Sequence, residues 1–159
     1  MSLIEVEKLS RSYGTLRAVD EVSFAVEAGE IFGIIGPDGA GKTTLFRMLT
    51  TLLLPDSGAA RVDGFRIVED FREIRKHVGY MPGRFSLYSD LTVEENLRFF
   101  ANVFHTTVEE NIHLVNDIYK QIEPFKTRRA GKLSGGMKQK LALCCAMIHK
   151  PDVLFLDEP

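Results

Sequence analysis

The sequence predicts an α/β fold, and three observations carry the prediction. Residues Gly36 to Thr44 read Gly-Pro-Asp-Gly-Ala-Gly-Lys-Thr-Thr and stand between an apolar run, Ile31 to Ile35, and a helix-like stretch, Leu45 to Leu54. A second apolar run, Val153 to Leu156, ends in Asp157-Glu158-Pro159. Between the two, after Gly83, the apolar pattern changes from the alternation of strands to the three- and four-residue spacing of helices.

Each element has its own signal. Leu3 to Lys8 and Val22 to Val26 alternate as strands, separated by a turn at Tyr13-Gly14. Glu27-Ala28-Gly29-Glu30 is a turn into Ile31 to Ile35, whose unbroken apolar character reads as a buried strand. The helix after the glycine-rich loop ends near Pro55, where Pro-Asp-Ser-Gly is a turn. Ala59 to Val62 is a short strand leading to Asp63-Gly64, Phe71 to Lys76 a short helix, and His77 to Met81 a strand closed by Pro82-Gly83. Thr92 with Glu95 three residues on is a capping box, opening a helix to about Phe104. Val108, Ile112, Val115, Ile118, Tyr119 and Ile122 recur at helical spacing and predict one helix stopping at Pro124. Leu133-Ser134-Gly135-Gly136 opens a third helix, to His149, before the strand Val153 to Leu156.

With 159 residues the chain is long enough for one domain with a real core. Charged residues make up 26% and the net charge is −2, so no strong field calls for nucleic acid or an anionic membrane. Met1 to Lys8 has no apolar signal core, and the longest apolar stretches, such as Leu141 to Ile148, are far too short to span a bilayer. The adjacent Cys144 and Cys145 have no metal spacing and read as small buried apolar residues in a reducing compartment.

The chemistry begins at Gly36 to Thr44. Glycines at 36, 39 and 41 let the backbone curl so that successive N–H groups point inward. Those donors and the positive start of the next helix suit an anion. Lys42 adds a mobile charge for the β- and γ-phosphates of a nucleotide, and Thr43 a hydroxyl for Mg²⁺. A functionless glycine turn can share this composition, but the flanking strand and helix argue against it. Asp157 and Glu158 place two acids at a strand's carboxyl end, where α/β sheets bind ligands. Asp157 suits Mg²⁺, and Glu158 a role polarising an attacking water. Ser134, Gly135 and Gly136 put a hydroxyl and two glycine N–H groups at a helix start, a second anion site or a plain helix cap.

In this order and spacing the phosphate loop, Leu-Ser-Gly-Gly and the Asp-Glu pair resemble the nucleotide-binding domain of ABC ATPases, over the whole chain. The resemblance implies a P-loop NTPase fold: a RecA-like core with an N-terminal antiparallel β subdomain and a helical insert, incomplete at the C-terminus. It implies a β subdomain and phosphate-loop core over 1–83, a helical subdomain with the signature over 84–149, and the carboxylate strand over 150–159. It also implies roles. Gly36, Pro37, Asp38, Gly39, Ala40, Gly41, Lys42, Thr43 and Thr44 would cradle the phosphates of ATP. Tyr13 would stack on adenine; Thr43 and Asp157 would hold Mg²⁺; Lys42 and Glu158 would be catalytic. Ser134, Gly135 and Gly136 would contact the γ-phosphate held by a second ABC subunit in a head-to-tail dimer. Transmembrane permease subunits would hold the chain at the cytoplasmic face of the membrane, with no nucleic acid partner.

Phe32 to Gly36, Phe85 to Leu97 and Met137 to Leu141 resemble exporters of the ABC-2 type. The aromatic stretch from Phe85 to Tyr88 reads equally as a permease contact or as packing of the helical insert. Two departures from the family pattern stand out. Gly83 occupies the place of a glutamine that contacts Mg²⁺ and the attacking water, so a regulatory or weakly hydrolytic half of an ABC pair is an alternative to a full motor. A soluble, non-transport ABC ATPase is another. The family also continues past the Asp-Glu pair with a dimer-contact loop, a further core strand and a histidine. His77, His105, His113 and His149 all precede that pair, so the chain is expected to be a fragment of low stability and little ATPase activity on its own.

Overall fold

The computed structural model describes residues 1–158, which fall into two compact units that divide between Val78 and Gly79.

In the first unit, β1 (Ser2–Tyr13) and β2 (Leu16–Glu27) form an antiparallel hairpin closed by Gly14 in the left-handed region, φ 59°. β3 (Ser57–Val62) pairs with the other edge of β1, and β4 (Phe65–Arg66) folds back on β3. The sheet order is β2-β1-β3-β4. The β3–β4 turn uses Asp63-Gly64, both at positive φ, as a two-residue hairpin of matching twist demands. Ile4, Val6, Leu9, Val19, Val26, Ala60 and Val62 are buried. α1 (Lys42–Leu49) packs on β2 and β3 and buries Leu45, Met48 and Leu49. α2 (Phe71–His77) buries Ile74.

In the second unit, β5 (Val78–Met81) pairs with β6 (Val153–Leu156). Gly79 is required there, because a Cβ would lie 2.3 Å from the Ala146 carbonyl oxygen. α3 (Val93–Val103), α4 (Val108–Asn111), α5 (Asn116–Ile122) and α6 (Gly135–Met147) enclose a core that includes Val93, Leu97, Val115, Ile122, Leu141 and Ile148. The capping box forms as expected: Glu95 N–H donates to Thr92 Oγ1 at 3.1 Å, and Thr92 N–H to Glu95 Oε2 at 2.8 Å. No helix among the described residues is long and apolar enough to cross a membrane.

Two expectations fail. Ile31 to Ile35 is not a strand, and Ile31 and Ile35 are 101% and 98% exposed. A strand exists through its ladder, and among the described residues none pairs along this run. Its contact is aromatic instead: Phe32 stacks on Phe24 with ring centroids 5.2 Å apart. The single helix expected from Val108 to Ile122 is broken into α4, a 3-10 turn at Ile112–Leu114, and α5. Asn111 causes a tertiary tie here, donating from Nδ2 to the Ile148 carbonyl at 2.7 Å and to Thr106 Oγ1 at 3.2 Å. Asn, His and Val are weak helix formers, so this tie outweighs local helix continuity.

Asn96 is fully buried and pins the loop before α3. Its Oδ1 accepts from Tyr88 N–H at 3.0 Å, and its Nδ2 donates to the carbonyls of Tyr88 at 2.9 Å and Thr92 at 3.0 Å. Asn96→Leu keeps the volume but strands these buried groups, and is expected to cost about 3 kcal/mol. Urea unfolding checks this; a loss below about 0.5 kcal/mol contradicts it.

Cys144 and Cys145 are free thiols, both buried, as the sequence implies. Burial pushes the Cys144 thiol up to about 12 and the Cys145 thiol well above its ordinary value. The folded state therefore favours the neutral thiols. Their contribution to stability is complete below the unfolded-chain value of about 8.5 and is lost as pH rises through the folded values. Neither thiol is expected to react with an aromatic disulfide reagent at pH 8 until the chain unfolds. Rapid reaction of the native protein contradicts that burial.

Candidate functional site

The glycine-rich loop belongs to the first unit. It enters α1 through Gly41, which caps the helix at φ 97°, ψ 9°. Only glycine suits this position twice over. The conformation is left-handed, and a Cβ would lie 1.9 Å from the Ala18 carbonyl oxygen on β2. Gly39 is also left-handed, φ 81°, but has open space around it. Ala40 N–H donates to the Pro37 carbonyl at 3.1 Å, closing a turn inside the loop.

Lys42 is half-buried, and its Nζ donates to the carbonyls of Gly36 and Pro37, the latter at 3.1 Å. The ammonium is thus folded back over the loop, where it can exchange carbonyl oxygens for those of a polyphosphate. The first turn of α1 carries no acid, so its positive end is uncompensated. Thr43 is exposed and Thr44 half-buried. Tyr13, at the end of β1, is 43% exposed, and its hydroxyl lies 3.5 Å from Thr44 Oγ1. Tyr13 therefore lies beside Thr44, at the end of the glycine-rich loop.

The second unit carries the remaining residues. Asp157 follows β6, is buried, and donates from its N–H to the Met81 carbonyl at 3.0 Å. Glu158 is exposed and stands at φ 50°, a conformation uncommon outside glycine. Gly83 lies beside this pair. A Cβ there would be 3.3 Å from the Asp157 carbonyl oxygen and 3.9 Å from Glu158 Oε2. A cleft of about 160 Å³ is lined by Gly83, Arg84, Phe85, Lys138, Gln139 and Glu158. Ser134 caps α6, its Oγ accepting from Met137 N–H at 3.3 Å. Ser134, Gly135 and Gly136 are exposed, and Cβ atoms on the two glycines would meet nothing within 4 Å. The first turn of α6 also lacks acids. This helix start is open to an anion from outside the unit.

Residues 19–159 match the family model described as ABC transporter. The chain belongs to the ABC transporter family. It is 44% identical over 161 residues to the "Probable multidrug ABC transporter ATP-binding protein YbhF" of Escherichia coli (strain K12), covering 99% of this chain and 28% of that protein. It is 41% identical over 158 residues to the "Nod factor export ATP-binding protein I" of Paraburkholderia xenovorans (strain LB400), covering 98% of this chain and 52% of that protein. A solved "Structure of ATP binding subunit of ABC transporter" superposes with a TM-score of 0.87 at 30% identity, covering 98% of this chain and 65% of that one. The chain thus spans about half or less of these curated relatives. The expected α/β fold, with antiparallel β and helical parts, is the fold of this ABC ATP-binding subunit.

Sequence reasoning missed Arg11, Asp56 and Asn96. Arg11 sits over the Tyr13 ring with its Cζ 5.4 Å from the centroid, and Asp56 ties to both Arg11 and Ser12. The available signal was spacing, since residues two apart on a strand share a face.

Proposed function

We propose that this chain is the ATP-binding and ATP-hydrolysing part of an ABC membrane transporter, of the exporter type. The observation that carries the reading is the loop Gly36 to Thr44, with Gly41 fitted against Ala18 and the Lys42 ammonium folded over the loop. That arrangement suits a triphosphate. The similarity to YbhF and to a Nod factor export protein supports export over import.

In this reading, Lys42 and the loop N–H groups bind the phosphates, and Tyr13 stacks on adenine. Thr43 and Asp157 would each offer an oxygen to Mg²⁺, which when bound would neutralise charge on the β- and γ-phosphates. The donor types fit a hard cation, since a hydroxyl and a carboxylate are the oxygens Mg²⁺ takes from protein. Glu158 accepts a proton from the attacking water. Ser134, Gly135 and Gly136 close on the γ-phosphate of a second ABC subunit, identical or not, in a head-to-tail dimer. ATP then holds two subunits together, and hydrolysis releases them. Functionally, 1–83 is the β and phosphate-loop part, 84–149 the helical part with the signature, and 150–159 the carboxylate strand.

Permease subunits are the expected membrane partners, placing the chain on the cytoplasmic face. Tyr88 and Phe99, 50% and 39% exposed and edge-to-face at 4.8 Å, offer an aromatic surface for such a contact. Magnesium-dependent ATP turnover by the intact protein, reconstituted with its permease and coupled to solute export, tests the reading. Turnover without transport points to a soluble ABC ATPase.

Gly83 favours a second reading, a slowly hydrolysing half of an ABC pair. It lies against Asp157 and Glu158 and offers no side chain to either. Gly83→Gln is then expected to raise turnover several-fold without tightening ATP binding. Unchanged turnover in a folded variant removes the case for a slow site.

A further inference from the structure

We propose that Arg11 is a positioning residue for the nucleotide base, backing one face of Tyr13 so that the ring is held in place to receive adenine. The proposal rests on the reading of Tyr13 as the base-stacking residue. The Arg11 Cζ stands 5.4 Å from the ring centroid, within cation–π range. Its Nε is buried and has no hydrogen-bond partner. That edge of the cation is desolvated, which is where attraction to a ring face is strongest.

The guanidinium is itself held. Nη1 donates to the Leu54 carbonyl at 3.0 Å and to Asp56 Oδ1 at 3.4 Å. Asp56 Oδ2 accepts from Ser12 N–H at 2.7 Å, and Asp56 N–H donates to the Ser10 carbonyl at 2.9 Å. Three consecutive residues of β1, Ser10 to Ser12, are thereby clamped to the turn after α1. The far end of the ring is set by the Thr44 hydroxyl in the first turn of α1. With one face of its ring covered by a cation and its tip beside Thr44, Tyr13 as a residue is still 43% exposed. An aromatic ordered before the ligand arrives loses less freedom on binding. Together with the Thr44 contact, the clamp ties Tyr13 to α1 and to the turn that follows it.

The test compares Mg²⁺-ATP with Mg²⁺-tripolyphosphate, which carries the phosphate chain without base or ribose, as ligands of the intact protein. Arg11→Met is expected to weaken ATP binding about three- to tenfold and leave tripolyphosphate binding unchanged. Arg11→Lys is expected to recover part of the loss, because it restores charge without the planar fork. Combining Arg11→Met with Tyr13→Ala is expected to weaken ATP no further than Tyr13→Ala alone. Equal weakening of both ligands by Arg11→Met makes Arg11 merely structural and overturns the proposal. So does unchanged ATP affinity in Arg11→Met when Tyr13→Ala weakens it. If Tyr13→Ala leaves ATP affinity intact, the stacking reading itself fails and the proposal falls with it. Should Arg11→Met not fold, the ligand comparison in Arg11→Lys decides between the same outcomes.

Discussion

Glu158→Gln is expected to lower steady-state phosphate release about 10²–10⁴-fold while leaving ATP binding intact. The substitution keeps the size and hydrogen-bonding shape of the side chain and removes its ability to take a proton. Glu158 is suited to that task because it is exposed, follows the buried Asp157 at the end of β6, and borders an open cleft. Its left-handed backbone, φ 50°, turns it away from the course of the strand at some cost in strain. Phosphate release and equilibrium nucleotide binding, measured side by side, separate catalysis from affinity. If turnover stays within about threefold of the parent, Glu158 is not the base. If affinity falls along with turnover, its role is in binding.

Gly41→Ala is expected to abolish nucleotide binding, because it displaces the loop that makes the site. The new Cβ would stand 1.9 Å from the Ala18 carbonyl oxygen and 2.9 Å from its carbon, both backbone atoms that no rotamer change can move. The left-handed φ of 97° adds strain of about 1–2 kcal/mol. Loop and β2 must part, and the Lys42 ammonium loses its alignment. Gly39→Ala is the matched control. It meets the same kind of backbone strain at φ 81° with nothing within 4 Å. A loss of ATP affinity exceeding about 100-fold for Gly41→Ala, set against less than about tenfold for Gly39→Ala, is the expected result. Equal effects would mean that close packing on β2 does not set the loop.

Local chemistry was legible from the sequence wherever the determining partner lies within a few residues. The Thr92–Glu95 capping box and the Asp63-Gly64 turn are reciprocal bonds or dihedral demands of neighbouring residues, and both form as read. The turns of the glycine-rich loop were legible for the same reason, since Gly39 and Gly41 both stand at positive φ. Ile31 to Ile35 was misread because apolar character makes a segment eligible for burial, whereas a strand needs a ladder from elsewhere. The broken helix at Ile112 was invisible because its cause, the Asn111 bond to Ile148, spans 37 residues. Asn96 was hidden by its polarity. It occupies a buried position three residues after Val93 and one before Leu97, where helical period places apolar residues. Arg11 was hidden because its partners, Leu54 and Asp56, lie across the sheet-to-helix connection.

The central claim is that the loop from Gly36 to Thr44 binds the phosphates of ATP through Lys42. The most direct measurement is the thermal midpoint of the intact protein with and without Mg²⁺-ATP, alongside Lys42→Ala. A rise of several degrees in the parent at ATP near 100 times its dissociation constant, absent in Lys42→Ala, is the predicted result. An unchanged midpoint in the parent, or an equal rise in Lys42→Ala, contradicts the account.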